Sequence, residues 1–269
     1  MHEIKNVLTD KEIKELLNYN ETIDDRSDVR PDVASKHPRW DIDQWPQHII
    51  RKVLNKVLDY DYEVEEVIFN KSKISFRIHA DSGKSDIDRQ GHAVLIPLKT
   101  DGPSHTVFFD NHWHFNSTKF SKVDISPFQY QLPNKNGNWI TIPDIRCLLE
   151  DLKTRPESIK EFDVTEEFIN EIENLVAVRN NKGISKVDNR CYDYSLITNY
   201  DKNYVIDIDI YNQYLSHIDY ETVKGLKIEK IAEWNINNAM VFPRTQIHCA
   251  SSSHKEKVGV TIFVRPRLS

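Results

Sequence analysis

Two side chains near position 80 have the types and spacing to share one metal ion. The stretch Phe76-Arg77-Ile78-His79-Ala80-Asp81-Ser82-Gly83 carries a His-x-Asp pair, preceded by apolar residues at every second position, Ile74, Phe76 and Ile78. That alternation predicts a strand with Ser75, Arg77 and His79 on the face opposite the apolar residues, and continued extension would project Asp81 beside His79. An imidazole nitrogen and a carboxylate oxygen from neighbouring same-side positions can fill two adjacent sites of a metal. A second histidine from another strand would complete a facial set of three and leave positions open on the substrate side. The pair alone is equally compatible with a solvated turn. The far end of the chain supplies the missing ligand, because Ala239-Met240-Val241-Phe242-Pro243-Arg244-Thr245-Gln246-Ile247-His248-Cys249 is followed by the strand-like run Lys257–Val264.

Together these two segments resemble the Fe(II)/2-oxoglutarate-dependent oxygenases, in which an H-x-D motif is followed by a distal histidine and then by a basic residue on the last core strand. Lys257 lies nine positions after His248, and the likeness covers roughly residues 70–110 and 226–266. It also takes in Val94-Leu95-Ile96-Pro97-Leu98 and Thr106-Val107-Phe108-Phe109, which are similar to the strands that follow the motif in that family. The resemblance implies Fe(II) held by His79, Asp81 and His248, with 2-oxoglutarate and O2 as cosubstrates. It also implies hydroxylation of a small-molecule substrate with release of succinate and CO2. Because Asp81 is present, the iron keeps its carboxylate and hydroxylation is implied rather than halogenation.

A 2-oxo acid bound to such a metal needs a buried cation for its distal carboxylate, and Lys257 is the first candidate. A lysine in mid-strand costs on the order of several kcal/mol when unpaired and is stabilised when it meets a carboxylate. Gly259 and Thr261 share its face, so Thr261 adds a hydroxyl donor. Lys255 has the same parity and is the competing cation. If extension persists through the distal segment, Arg244 and Gln246 share the face of His248, and Arg77 that of His79; Arg244 is thus a third candidate to contact the cosubstrate. Two other readings stand beside this one. A cupin-like metal protein would not use 2-oxoglutarate and would need no such cation. A noncatalytic protein would keep the fold without the turnover.

The elements that must position these residues are mainly β, with flanking helices, and a double-stranded β-helix (jelly-roll) core is expected. The 269 residues are read as one oxygenase-like domain. Residues 1–60 form a helical support, 61–110 and 218–266 the core strands, and 111–217 an insertion that builds the substrate walls. Thr9-Asp10-Lys11-Glu12 has the form of a capping box and predicts a helix to about Tyr19. A second helix is expected from Asp43 or Gln44 to Leu58, with Pro46 in its first turn. The polar segment between them, around Asp24 to Arg39, reads as a loop that could order over substrate. Asn70-Lys71-Ser72-Lys73 suits a hairpin turn between two strands. A further helix is expected from Thr165 to Val178, with a solvated acidic face.

Composition narrows the classes. The chain is 39% hydrophobic and 29% charged, with a net charge of −6 and both signs interspersed. This fits a globular protein and gives no electrostatic case for nucleic acid or an anionic membrane. No apolar run approaches a bilayer span and Met1–Lys5 lacks the apolar core of a signal peptide, so a cytoplasmic location is expected. Cys147, Cys191 and Cys249 are too few and too scattered for a disulfide framework. Cys249, next to His248, is expected to face away from the metal as a small buried hydrophobe. His112-Trp113-His114 suggests no third ligand and reads as a plain loop, and His92, His105 and His254 read as hydrogen-bonded structure.

Overall fold

Period-two apolar patterning over short runs separated by turns closes here into two facing sheets, antiparallel except for one short edge pair, with helices outside. The computed structural model describes residues 1–22, 33–36, 46–72, 75–83, 85–121, 130–136, 139–142, 145–181, 190–191, 193–252 and 255–267. In chain order the strands are β1 (His2–Ile4), β2 (Val33–Lys36), β3 (Tyr62–Ser72), β4 (His79–Ala80), β5 (His92–Thr100), β6 (His105–His112) and β7 (Thr118–Phe120). They continue as β8 (Tyr130–Pro133), β9 (Trp139–Ile142), β10 (Arg190–Cys191), β11 (Ile228–Glu233), β12 (Ala239–Pro243), β13 (Gln246–Ala250) and β14 (Lys257–Pro266). The larger sheet runs β1-β12-β5-β14-β3-β2 and the smaller β10-β7-β4-β13-β6-β11, while β8 and β9 form a separate hairpin. This is the jelly-roll core.

Three apolar layers hold the core in place. Helices α1 (Asp10–Thr22) and α2 (Gln47–Val57) pack Leu16, Ile49, Ile50, Val53 and Leu54 on the outer face of the larger sheet, against Phe69, Ile96 and Ile262. Thr9 and Glu12 form the expected capping box, with Thr9 N–H donating to Glu12 Oε2 at 2.7 Å. Between the sheets, Leu95, Phe108, Trp234, Met240, Phe242 and Phe263 fill one end of the interior. On the outer face of the smaller sheet, Ile78, Val107, Phe109, Ile247 and Cys249 pack under the segment from Tyr194 to Leu226. A fourth cluster joins Leu132 to α3 (Ile145–Thr154) and α4 (Glu166–Asn181), so the middle of the insertion carries a small core of its own.

Several elements differ from the sequence expectation. The first 60 residues contribute β1 and β2 as well as helices, and both strands extend the larger sheet at its edges. Asn70, Lys71 and Ser72 are not a turn but the end of β3, paired with Gly259, Val258 and Lys257 of β14. Their polarity has another cause, since Asn70 and Ser72 line an internal cavity that also holds Lys257 and Thr261. The start expected for the second helix, at Asp43 or Gln44, lies outside the described residues, as do Lys73, Ile74, His254 and most of the loop from Asp24 to Arg39. Among the described residues, no helix is long and apolar enough to cross a membrane.

Candidate metal centre and its cavity

His79 and His248 face each other across neighbouring strands of the smaller sheet, β4 and β13, as a paired register position. Asp81 follows β4 directly. Its Oδ1 lies 3.5 Å from His79 Nε2 and its Oδ2 lies 3.4 Å from His248 Nε2. One ligand atom from each of the three residues falls within 4.8 Å of the others. This is the spacing a single ion needs, with two imidazoles and one carboxylate gathered at one end of the cavity.

Each histidine is oriented by a backbone carbonyl. His79 Nδ1 lies 2.7 Å from the carbonyl of Arg77, and His248 Nδ1 lies 3.0 Å from the carbonyl of Gln246. A carbonyl only accepts, so each Nδ1 donates its N–H there and each Nε2 is the nitrogen turned to Asp81. Burial, reinforced by the neighbouring His248 ring, pushes His79 down to about 4, against the smaller opposing effect of Asp81. The ring is therefore uncharged at neutral pH and needs to lose no proton to bind a metal.

The triad opens on a cavity of about 330 Å³ between the sheets, lined also by Ile68, Asn70, Ser72, Thr106, Trp234, Lys257 and Thr261. Lys257 is 5% exposed, and its Nζ has no hydrogen-bond partner among the described residues. The ammonium instead lies 4.7 Å from the ring centroid of Trp234, and burial holds it down to about 8. Trp234 is fixed by donating Nε1–H to Thr106 Oγ1 at 2.9 Å. Gly259 leaves room for it, because a Cβ there would sit 3.1 Å from the Trp234 Cη2. Thr261 accepts from Asn70 Nδ2 at 3.2 Å in the cavity wall.

The residues expected at the site thus separate. His79, Asp81, His248, Lys257 and Thr261 meet in one cavity. Lys255 is exposed and is not among the lining residues. Arg244, expected to contact the cosubstrate, is not among them either. The chain turns at Arg244-Thr245, so extension does not persist, and the guanidinium points to Glu65 and to the carbonyl of Asp81, which Nε reaches at 3.0 Å. Gln246 is also turned away, donating to Phe109 O at 3.1 Å and to Glu229. The strand expected to lead into His79 begins only at His79 and ends at Ala80. Alternation therefore fails at Phe76, which is 42% exposed, lines the cavity and meets the His79 ring edge-on at 5.0 Å.

Three lining residues, Ser117, Thr118 and Lys119, come from β7 and the residue before it, within the expected insertion. Asn70, Ser72, Thr106 and Trp234 carried no motif. The signal available for the first two was their pairing parity with Lys257 and Gly259. Cys249 is buried on the far side of the smaller sheet, where burial raises its thiol well above the usual range. His112 ends β6 and shares a hydrogen bond with Thr245 Oγ1 at 3.0 Å, and His92 pairs with the Tyr60 hydroxyl at 2.8 Å.

A jelly roll with a two-histidine, one-carboxylate cluster facing a buried cation is the class that fold and site define together. No protein-family model matches the chain, and neither does any curated protein. Among solved structures it is similar to HygX from Streptomyces hygroscopicus with nickel and 2-oxoglutarate bound, at 8% identity and TM-score 0.42 over 99% of this chain and 82% of that one. It is similar also to the viral collagen prolyl hydroxylase of Paramecium Bursaria Chlorella virus-1 in a 2OG complex, at 10% identity and TM-score 0.38 over 99% and 96%. The non-heme alpha ketoglutarate dependent epimerase SnoN from nogalamycin biosynthesis matches at 7% identity and TM-score 0.44 over 98% and 77%. At such values the likenesses carry no argument, and what this chain binds is read from its own residues.

Proposed function

We propose that this chain is an Fe(II)/2-oxoglutarate-dependent oxygenase that hydroxylates a small molecule. The observation that carries the reading is the buried Lys257 ammonium, without a hydrogen-bond partner among the described residues, in the same cavity as His79, Asp81 and His248. A structural metal site has no use for a second, uncompensated charge held against an indole. A dicarboxylate that chelates the metal through one end and needs a cation at the other accounts for both. The donor set fits as well, since two neutral imidazoles and a carboxylate suit Fe(II) and leave its remaining positions open.

Bound there, Fe(II) with 2-oxoglutarate and O2 would supply the oxidising power to hydroxylate a C–H bond. The chain's own part is positioning and exclusion. His79, Asp81 and His248 hold the metal from one side. Lys257 and the Thr261 hydroxyl take the distal carboxylate, while Trp234, Leu95 and Phe263 keep water from that ion pair and so strengthen it. Phe76 shields the exposed edge of His79, and Ser117, Thr118 and Lys119 face the space left for substrate.

Succinate formation tests the proposal. The chain incubated with Fe(II), 2-oxoglutarate and O2 should convert the cosubstrate slowly even without substrate, and His248→Ala should abolish this. Tight Fe(II) binding with no measurable affinity for 2-oxoglutarate would refute it in favour of a cupin-like metal protein.

A further inference from the structure

Strand β3 carries an irregularity whose position points at the metal. Phe263 of β14 pairs with Glu66, but the next residue, Val264, pairs with Val64, so Glu65 is an extra residue in β3. A bulge leaves its extra residue out of the ladder and re-aims its side chain. Here the re-aimed carboxylate meets the guanidinium of Arg244, which lies in the turn between β12 and β13 and stacks over the Phe263 ring at 5.1 Å. The other edge of that guanidinium donates Nε–H to the backbone carbonyl of Asp81 at 3.0 Å. Arg244 is 8% exposed and the Glu65 side chain 32%, so the pair is partly withdrawn from water and less screened than a surface pair.

We infer that the Glu65 bulge and Arg244 form a positioning relay for the metal, holding the backbone of Asp81 so that its carboxylate stands between the two imidazoles. The reason is geometric. Asp81 lies just beyond β4 and is not among that strand's paired positions. What holds the segment comes from outside the smaller sheet. Arg244 grips it at the Asp81 carbonyl. Two residues on, Gly83 packs directly on Asp88, where a Cβ would fall 1.9 Å from the Asp88 Cβ, and Asp88 is itself tied to Ser85 and to Arg265 at 3.3 Å. Of these holds only Arg244 touches the ligand residue. Arginine suits the task because its rigid fork can serve a carboxylate and a carbonyl at once, which a lysine ammonium on a flexible stem does less well.

The inference rests on the metal reading of His79, Asp81 and His248 and not on the cosubstrate. It is tested with Co(II) alone, titrated into metal-free protein and followed by its visible absorption. Glu65→Gln and Arg244→Gln should each weaken Co(II) binding by about tenfold to a hundredfold, the range typical of groups that orient a ligand. Arg244→Lys should fall between wild type and Arg244→Gln. Because Glu65 acts through Arg244, the double variant should bind no worse than Arg244→Gln. Glu65→Gln, a change of charge alone at a partly exposed bulge, keeps the test open if Arg244→Gln fails to fold. Wild-type affinity and an unchanged spectrum in folded Glu65→Gln would overturn the inference, as would additive losses in the double variant. Absence of Co(II) binding by the wild-type chain would overturn the metal reading, and this inference with it.

Discussion

Replacing Lys257 with methionine should make the empty protein more stable and the cosubstrate complex far weaker. The ammonium sits over Trp234 without a hydrogen-bond partner among the described residues, and burial holds it at about 8 in place of its ordinary 10.5. At about 1.4 kcal/mol per pH unit, that difference corresponds to a penalty of about 3 kcal/mol on the charged form. The folded value is the lower one, so between about pH 8 and 10.5 the unfolded chain binds more protons. Stability of the metal-free protein should therefore rise with pH across this window, with the full penalty present below it. Methionine has similar length and no charge, so Lys257→Met should remove both penalty and slope, gaining on the order of 1–3 kcal/mol in urea unfolding at pH 7. For 2-oxoglutarate the sign reverses. Leaving one carboxylate of the ligand buried and unpaired costs about 2–5 kcal/mol, so its dissociation constant, measured by anaerobic calorimetry on the metal-loaded protein, should rise from about thirtyfold to several thousandfold. Wild-type affinity should also decline as pH rises through about 8, with proton uptake on binding. A Lys257→Met protein that is less stable than wild type and binds 2-oxoglutarate unchanged would refute the reasoning at both ends.

Three further outcomes are expected. His248→Ala should lose full-stoichiometry iron binding in an anaerobic titration, and with it all succinate formation. Gly259→Ala should press a methyl group against Trp234 and the Ile96 carbonyl, which a Cβ would approach at 3.1 and 3.2 Å; a stability loss of about 1–3 kcal/mol and weaker 2-oxoglutarate binding should follow, with metal affinity unchanged. In the folded protein, Cys147 should label rapidly with a thiol reagent while Cys249, buried with its thiol held protonated, should label only on unfolding, as peptide mapping would show.

The candidate metal centre was legible because the residues that would hold the metal obey local rules. His79 and Asp81 are two positions apart at a strand end, and His248 precedes the strand that carries Lys257; parity alone brings Lys257 and Thr261 to one face. The same parity, carried too far, misplaced other residues. It assumes unbroken extension, and the chain breaks extension at Arg244-Thr245 and before His79. Arg244 therefore turned from the cavity to the support of Asp81, and Phe76 from the core face to the cavity. Asn70 and Ser72 resembled a turn for a related reason. Polar residues in a row indicate contact with water or with other polar groups, and the sequence does not distinguish solvent outside the sheet from a cavity within it.

The bulge at Glu65 marks a deeper boundary of what sequence can carry. Glu63-Val64-Glu65-Glu66-Val67 breaks its alternation at two adjacent glutamates, but nothing in it says which of the two is the extra residue. That is decided by β14, almost 200 positions away, where Phe263 and Val264 must both keep their faces while pairing with Glu66 and Val64. A one-residue slip would reverse every inward and outward side chain beyond it, so the register is fixed by the whole apolar face of the larger sheet. The direction in which Glu65 points is thus a consequence of packing the two sheets. If Arg244 transmits that direction to Asp81, the placement of a metal ligand depends on the register of a strand in the opposite sheet.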